Sequence, residues 1–156
     1  MKIFIKNFLI VVVLLTSVSL FAQDYTYKQD PFDSDKVNIY DGKGNKIGYY
    51  KTDTFDKSKI NIYDSNGKLI QTVKNDTFDS EKTNTYDGYG NKQGSTKKDA
   101  FNSKRENITD KNGNIIGYRE VDPYDNNKIN VYNKNGTKTG YYKKNYFSGD
   151  WEYFEL

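Results

Sequence analysis

The sequence predicts an all-β fold, an antiparallel β-hairpin repeat array with a 23-residue period laid out as an open meander. Three observations carry this. An aromatic column recurs at Phe32, Phe55, Phe78, Phe101, Tyr124 and Phe147, each 23 residues after the last. A fixed period in this range marks an array whose neighbouring units bury what one unit cannot bury alone. A turn motif, D-x-x-G, stands at Asp41–Gly44, Asp64–Gly67, Asp87–Gly90 and Asp110–Gly113, with Asn133–Gly136 as a further copy. Its Asp or Asn bonds nearby backbone N–H groups, and its Gly takes the left-handed conformation that opens a bulged hairpin. Finally, the stretches between these turns alternate with period two, and no window after residue 22 has the period of an amphipathic helix.

Residues 1–22 read as a secretory signal peptide. Lys2 and Lys6 form a basic start, Phe8 to Leu20 is an apolar run, and Ala22 offers a small residue for cleavage. The run is short for a membrane span, so no stable span is expected after the signal is removed. The rest, 23–156, reads as a single β-repeat domain with units 28–50, 51–73, 74–96, 97–119 and 120–142 and a C-terminal cap, 143–156.

Each unit offers two strands. The first is KINIY at 59–63, with equivalents KVNIY, KTNTY, RENIT and KINVY; the second follows the turn, as in NKIGYYK at 45–51. Column 62 (Ile39, Ile62, Thr85, Ile108, Val131) is the better buried candidate. Column 60 accepts Thr83 and Glu106 and reads as solvated. The connection D-x-F-D-x-x-K, as in Asp53 to Lys59, reads as a tight loop with its aromatic ring tucked under the sheet and its acids paired with the Lys row. Trp151, in the Lys column of the last half unit, reads as a ring capping the array. Half units at both ends leave two other arrangements open, a flattened parallel β-solenoid and a closed propeller-like ring of hairpins.

Composition narrows the function classes. The chain has 24 Lys and Arg against 21 Asp and Glu, and losing Lys2 and Lys6 leaves 22 against 21. A nearly neutral chain with interleaved signs has no electrostatic footprint for nucleic acid. Without histidine or cysteine there is no imidazole base, thiol nucleophile, disulfide or thiolate zinc site. Fifteen tyrosines and nine phenylalanines at regular positions argue against disorder.

Three motifs bear on chemistry. The turn sequences DSNG (64–67) and DKNGN (110–114) look like fragments of a calcium loop, but calcium needs six to eight oxygens and each turn supplies one Asp. No cofactor is expected, with calcium as the alternative. The pairs Asp30/Asp33, Asp53/Asp56 and Asp76/Asp79 resemble hydrolytic carboxylates, yet a catalytic pair is one singular place and these are copied with the scaffold. No enzyme is expected. The aromatic rows are the remaining candidate. Tyr49, Tyr50, Tyr118, Arg119, Tyr141 and Tyr142 form the candidate binding surface, since exposed rings on a sheet stack on sugar faces or anchor protein partners. The fourth unit departs most from the pattern (Glu106, Thr109, Arg119, Glu120) and is the place expected for one specific contact.

The glycine-punctuated hairpins resemble MORN repeats, with Gly48, Gly94, Gly117 and Gly140 in the place of one of that family's glycines and Gln71 interrupting the column. The Y-D-x-x-G stretches at Tyr40–Gly44, Tyr63–Gly67 and Tyr86–Gly90 resemble the YD repeats of secreted Rhs-type proteins. Both resemblances imply a scaffold or binding role. The leader ending in FAQ (21–23) is similar to those of Bacteroidetes-type bacteria, which implies a Gram-negative envelope. The expectation is therefore an exported, non-enzymatic repeat protein, periplasmic, at the cell surface or extracellular. It would present a Tyr/Lys/Asn surface to a glycan or envelope polymer, or else serve as a protein–protein scaffold or immunity-type partner.

Overall fold

A computed structural model describes residues 24–156; the expected signal peptide lies outside the described residues. Twelve strands follow one another: β1 (Tyr25–Gln29), β2 (Lys36–Asp41), β3 (Lys46–Thr52), β4 (Lys59–Asp64), β5 (Leu69–Asn75), β6 (Lys82–Asp87), β7 (Lys92–Lys98), β8 (Arg105–Asp110), β9 (Ile115–Val121), β10 (Lys128–Asn133), β11 (Lys138–Lys144) and β12 (Trp151–Glu155). Every neighbouring pair is antiparallel. That rules out the parallel solenoid.

The turns form as their chemistry dictates. In the first, the Asp41 carboxylate accepts from the backbone N–H of Lys43 and Asn45, while Gly44 N–H donates to Asp41 O. Gly44 has φ 84°, and its counterparts Gly67, Gly90, Gly113 and Gly136 lie between 79° and 88°, a region that an L side chain enters only with strain. Each turn is followed by a bulge, as between Ile39 and Tyr40 against Gly48 and Lys46. A bulge bends its strand and increases the local twist.

The sheet does not stay open. β1 pairs with β12 through Tyr25↔Tyr153, Thr26↔Glu152 and Tyr27↔Trp151, and the twelve strands close into one barrel. The open meander is thus overturned. The half units at the chain ends do complete one another, but as adjacent strands of a continuous sheet rather than as a propeller blade. Closure leaves no strand edge to template aggregation.

The last unit achieves this closure with a shorter loop. In the earlier units the first loop residue donates its backbone N–H to a carbonyl six positions on, as Asp122 to Lys128; in the last, Asn145 donates to Asp150. One residue fewer turns Trp151 from the outward Lys position to an inward one, where it packs against the core. It is a wall residue of the closing strand, not a cap over an end.

The interior is asymmetric. Tyr25, Tyr27, Tyr50, Tyr142 and Tyr153 are buried on the side where the chain ends meet, with Tyr142–Tyr153 centroids 4.8 Å and Tyr27–Tyr142 6.4 Å apart. Across from them the lining is small or polar: Gln71, Thr83, Thr85, Gly94 and Thr96. A cavity of about 340 Å³ opens there, at the turn end, lined by Gln71, Thr85, Asp87, Gln93, Thr109, Asp110 and Ile116. The same core includes Ile39, Ile60, Ile62, Val73, Ile108, Ile129 and Val131. Column 60 is therefore buried, not solvated. It tolerates Glu106 because Arg119, directly opposite on β9, donates from Nε to Glu106 Oε2 at 2.5 Å.

The glycine column has a steric cause. A Cβ at Gly48, Gly94 or Gly117 would run into a backbone oxygen of the next strand. Where Gln71 interrupts the column, Gly88 on the neighbouring segment lies against the Leu69 carbonyl, so that the close approach is kept by a different residue.

Candidate functional site

The six connections that run from odd to even strands all lie at one end of the barrel, opposite the D-x-x-G turns. The first three are D-x-F-D-x-x-K loops; the fourth carries Asn102 and Arg105 and the fifth Tyr124 at the matching positions, while the sixth, Asn145 to Asp150, is one residue shorter. The loop at 53–59 shows the full set of braces. In the loop at 53–59, Asp53 N–H donates to Lys59 O and Lys59 N–H returns to Asp56 O. Asp53 Oδ1 accepts from the backbone N–H of Phe55 and Asp56 at 3.0 Å each. Asp53 Oδ2 accepts from Asn61 Nδ2 at 3.0 Å, and Lys59 Nζ lies 3.5 Å from it. The same Asn-to-Asp bond recurs as Asn38–Asp30, Asn84–Asp76, Asn107–Asp99 and Asn130–Asp122. In the sixth loop the two partners trade places: Asn145 holds the Asp position, Glu152 holds the Asn position, and Asn145 Nδ2 donates to Glu152 Oε1 at 3.0 Å. A further ion pair ties each of the first three loops to the strand after next, Asp33–Lys51 on β3, Asp56–Lys74 on β5 and Asp79–Lys97 on β7. The expected pairing of the loop acids with lysines holds. The Asn row, by contrast, is spent on the loops: Asn38, Asn61, Asn84 and Asn130 are buried and offer nothing to a ligand.

These braces hold up the aromatic column, and the rings are not tucked under the sheet. Phe32, Phe55, Phe78, Phe101, Tyr124 and Phe147 are 96–100% exposed. The loop is too tight for its tip to fold back. The Asp carboxylate that accepts the aromatic residue's own N–H fixes the backbone with the side chain pointing away from the barrel. Tyr146, 93% exposed, packs edge-on against Phe147 at 5.6 Å and adds a seventh ring. The result is a crown of aromatic tips around one rim. Large apolar side chains gathered in this way on one rim, rather than scattered singly over the surface, mark a candidate interaction site. Replacing Phe78 by Ala is expected to leave the unfolding free energy within about 0.5 kcal/mol of wild type, as for a surface substitution; urea denaturation checks it, and a loss of several kcal/mol would place the ring inside.

The six candidate residues chosen from sequence divide by strand face. Tyr50, Arg119 and Tyr142 point into the barrel at 6%, 3% and 0% exposure and take no part in an outer surface. Tyr49, Tyr118 and Tyr141 do face outward, but they are half-buried and stack on cross-strand rings: Tyr49 on Tyr63 at 4.9 Å, Tyr118 on Tyr132 at 4.7 Å and Tyr141 on Phe154 at 5.0 Å. Cations lie over them as well, Lys36 and Lys46 on Tyr49, Arg105 on Tyr118, Lys128 and Lys138 on Tyr141. Cross-strand aromatic pairs and exposed cation–π contacts each contribute roughly 0.5–1.5 kcal/mol. These rows hold the wall together.

The irregular fourth unit is likewise resolved internally. At the register position where Tyr49 meets Tyr63, Ser95 meets Thr109, with their hydroxyls 2.7 Å apart. Glu120, at the position that carries Lys51, Lys74, Lys97 and Lys143 in the other units, accepts from Arg105 Nε and Nη2 at 3.2 and 2.9 Å and from Asn102 Nδ2 at 2.8 Å. Each departure is one half of a matched pair across strands, so this unit is not set apart as a contact site. The signal was present in the sequence as substitutions 13 to 15 residues apart.

The carboxylates are set for structure. Asp30 is held down at about 2, first by Asn38 and then by the Phe32 N–H; Asp53 is held at about 2 by the backbone N–H groups of Asp56 and Phe55. Asp76, Asp99 and Asp122 are lowered, each first by its Asn partner. Because their folded values lie below the ordinary 3.8, these groups stabilise the fold above that value, and the contribution disappears as pH falls from 3.8 towards 2. Thermal melts are expected to lose stability over this acid range, with a shallower decline in Asp53→Asn. An identical decline in that variant would remove the loop acids as the cause. At the turns, the Asp41 and Asp110 carboxylates already accept from backbone and Asn45 or Asn114 N–H groups. EDTA is accordingly expected to leave the melting temperature unchanged, and a drop of many degrees would revive calcium.

No family model matches the chain, and no curated protein is similar to it. Among solved structures, it is similar to an X-ray structure of a protein from Arabidopsis thaliana, with TM-score 0.65 and 10% identity over 86% of this chain and 80% of that one. At that identity the likeness shows a shared fold alone.

Proposed function

We propose that this is an exported, non-enzymatic binding protein that engages a partner in the cell envelope through its aromatic crown. The carrying observation is the crown itself: six rings, each almost wholly exposed, five of them on loops braced by the same Asn-to-Asp bond and the sixth by its Asn145–Glu152 counterpart. Such bracing lowers the ordering cost of binding, and a repeated presentation multiplies a weak contact. Non-catalytic action is supported by the acids of the loops, whose values are lowered rather than raised as a general acid requires, and by the lack of histidine and cysteine. The leader-like 1–22 segment supports export. The binding role moves from the Tyr/Lys/Asn wall to the rim, because the wall rings are already covered.

The test is sedimentation with isolated Gram-negative envelope. Wild type is expected to pellet with it, Tyr49→Ser/Tyr141→Ser to pellet equally, and Phe55→Ser/Phe78→Ser/Phe101→Ser to remain largely in solution. Retention that depends on Tyr49 and Tyr141 but not on the crown would return the site to the wall; no retention at all would remove the envelope as the partner.

A further inference from the structure

We infer that the aromatic crown docks on a lipid bilayer, its rings immersed at the headgroup–acyl boundary and the barrel standing on the membrane by one rim. This rests on the crown being the binding surface and names what it binds.

Four features favour lipid over other occupants. The first is the completeness of exposure. Rings at 96–100% exposure have both faces and the edge free. A sugar stacked on such a ring covers one face and leaves the other in water, whereas a bilayer surrounds it. The second is multiplicity on one rim. The tips recur on every second strand, so adjacent rings stand roughly 10 Å apart around the barrel, from the usual strand spacing. A protein partner would need six matched pockets, but a fluid interface accepts all the rings at once. The third is charge. Asp30, Asp53, Asp76 and Asp122 are each within 3.3–3.8 Å of a lysine Nζ, so the rim carries no single-sign field and the surface it fits is electrically neutral. The fourth is access. β1 starts and β12 finishes at the opposite rim, so the described chain enters and leaves away from the crown. Tyr124 and Tyr146 add phenols whose apolar body and polar tip suit the interface. Docked in this way, the barrel holds the cavity beside Gln71 and Thr85 at its far end, open to the aqueous side.

The experiment is flotation of the exported protein with vesicles of phosphatidylcholine alone. Wild type is expected to float with the vesicles, with little change on adding salt. Single Phe→Ser changes at 55, 78 or 101 are expected to lower the partition coefficient by roughly tenfold each, from the apolar burial of one ring. A variant with Ser at 32, 55, 78, 101, 124 and 147 is expected to stay at the bottom of the gradient while melting like wild type. Phe78→Trp in the otherwise intact chain supplies a second readout that needs no loss of rings: its emission is expected to shift to the blue and to be quenched by brominated lipid, while Trp151 of the wild type is not. Flotation of the six-ring variant equal to wild type would overturn the inference, as would an unshifted Phe78→Trp emission. Wild type that ignores vesicles yet pellets with envelope or an insoluble polysaccharide would overturn the lipid partner and leave the binding reading standing. Crown-dependent dimers in sedimentation without flotation would assign the surface to a second copy of this chain.

Discussion

Tyr142→Ala is expected to destabilise the barrel by about 3–5 kcal/mol, the range for deleting a large buried ring. Tyr142 is fully buried and touches both strands that complete the barrel, meeting Tyr153 of β12 at 4.8 Å and Tyr27 of β1 at 6.4 Å between ring centroids. The cavity left behind would lie at the β1–β12 seam. That seam makes only three register pairs, against five for every other strand pair, so it has the least backbone pairing to hold it when side-chain packing is lost. Chemical denaturation followed by far-ultraviolet circular dichroism measures the loss; a change below about 1 kcal/mol, the scale of a surface substitution, would mean that the ring does not fill the interior. The same rings act at high pH. Burial raises the Tyr27, Tyr50 and Tyr142 phenols above the ordinary 10.0 and lifts Tyr153 to about 12. Raised folded values mean that their contribution is complete below pH 10 and is lost as pH climbs from 10 towards 12. Alkaline unfolding that begins above pH 10 is the companion observation.

Glu106→Ala is expected to cost about 3 kcal/mol, the lower end of the range for breaking a buried ion pair. The lower end applies because Glu106 keeps some contact with solvent, its side chain being 23% exposed against 4% for Arg119. Arg119 stands in the column that elsewhere carries Tyr27, Tyr50, Val73, Thr96 and Tyr142. Burial pushes its guanidinium down, and the adjacent Glu106 carboxylate opposes that shift. Without Glu106 the cation loses its counter-charge inside the barrel. The double change Glu106→Leu/Arg119→Met should recover most of the loss, since apolar replacement of a whole buried pair is often neutral or better. If the single variant is as stable as wild type, the pair is a surface feature and the barrel is wetter there than its burial implies.

Much of the scaffold was legible because its signals are local. The period, the D-x-x-G hairpins, the strand segments and the pairing of loop acids with lysines all depend on residues within one 23-residue unit, and repetition amplified each of them. The aromatic tips were misplaced for a related reason. A Phe in a polar chain reads as core, and only the geometry of the Asp30-type carboxylate gripping the next-but-one N–H shows that the side chain is thrust outward. The candidate wall was split between two faces because Tyr49 and Tyr50 are neighbours in sequence but face opposite sides of the strand, and which side is interior is not a property of one strand.

Local pattern is enough to specify an all-β chain of repeated bulged hairpins with regular aromatic, Asn, Asp and Lys columns. It does not specify that twelve strands close on themselves, that column 60 and the column of Tyr50 and Arg119 are interior, or that the Phe column is a crown. Closure sums small twists and bends contributed by every bulge and pair around the sheet. No single unit encodes that sum. Once β1 meets β12, the direction of curvature assigns every side chain in the array to the inside or the outside at once.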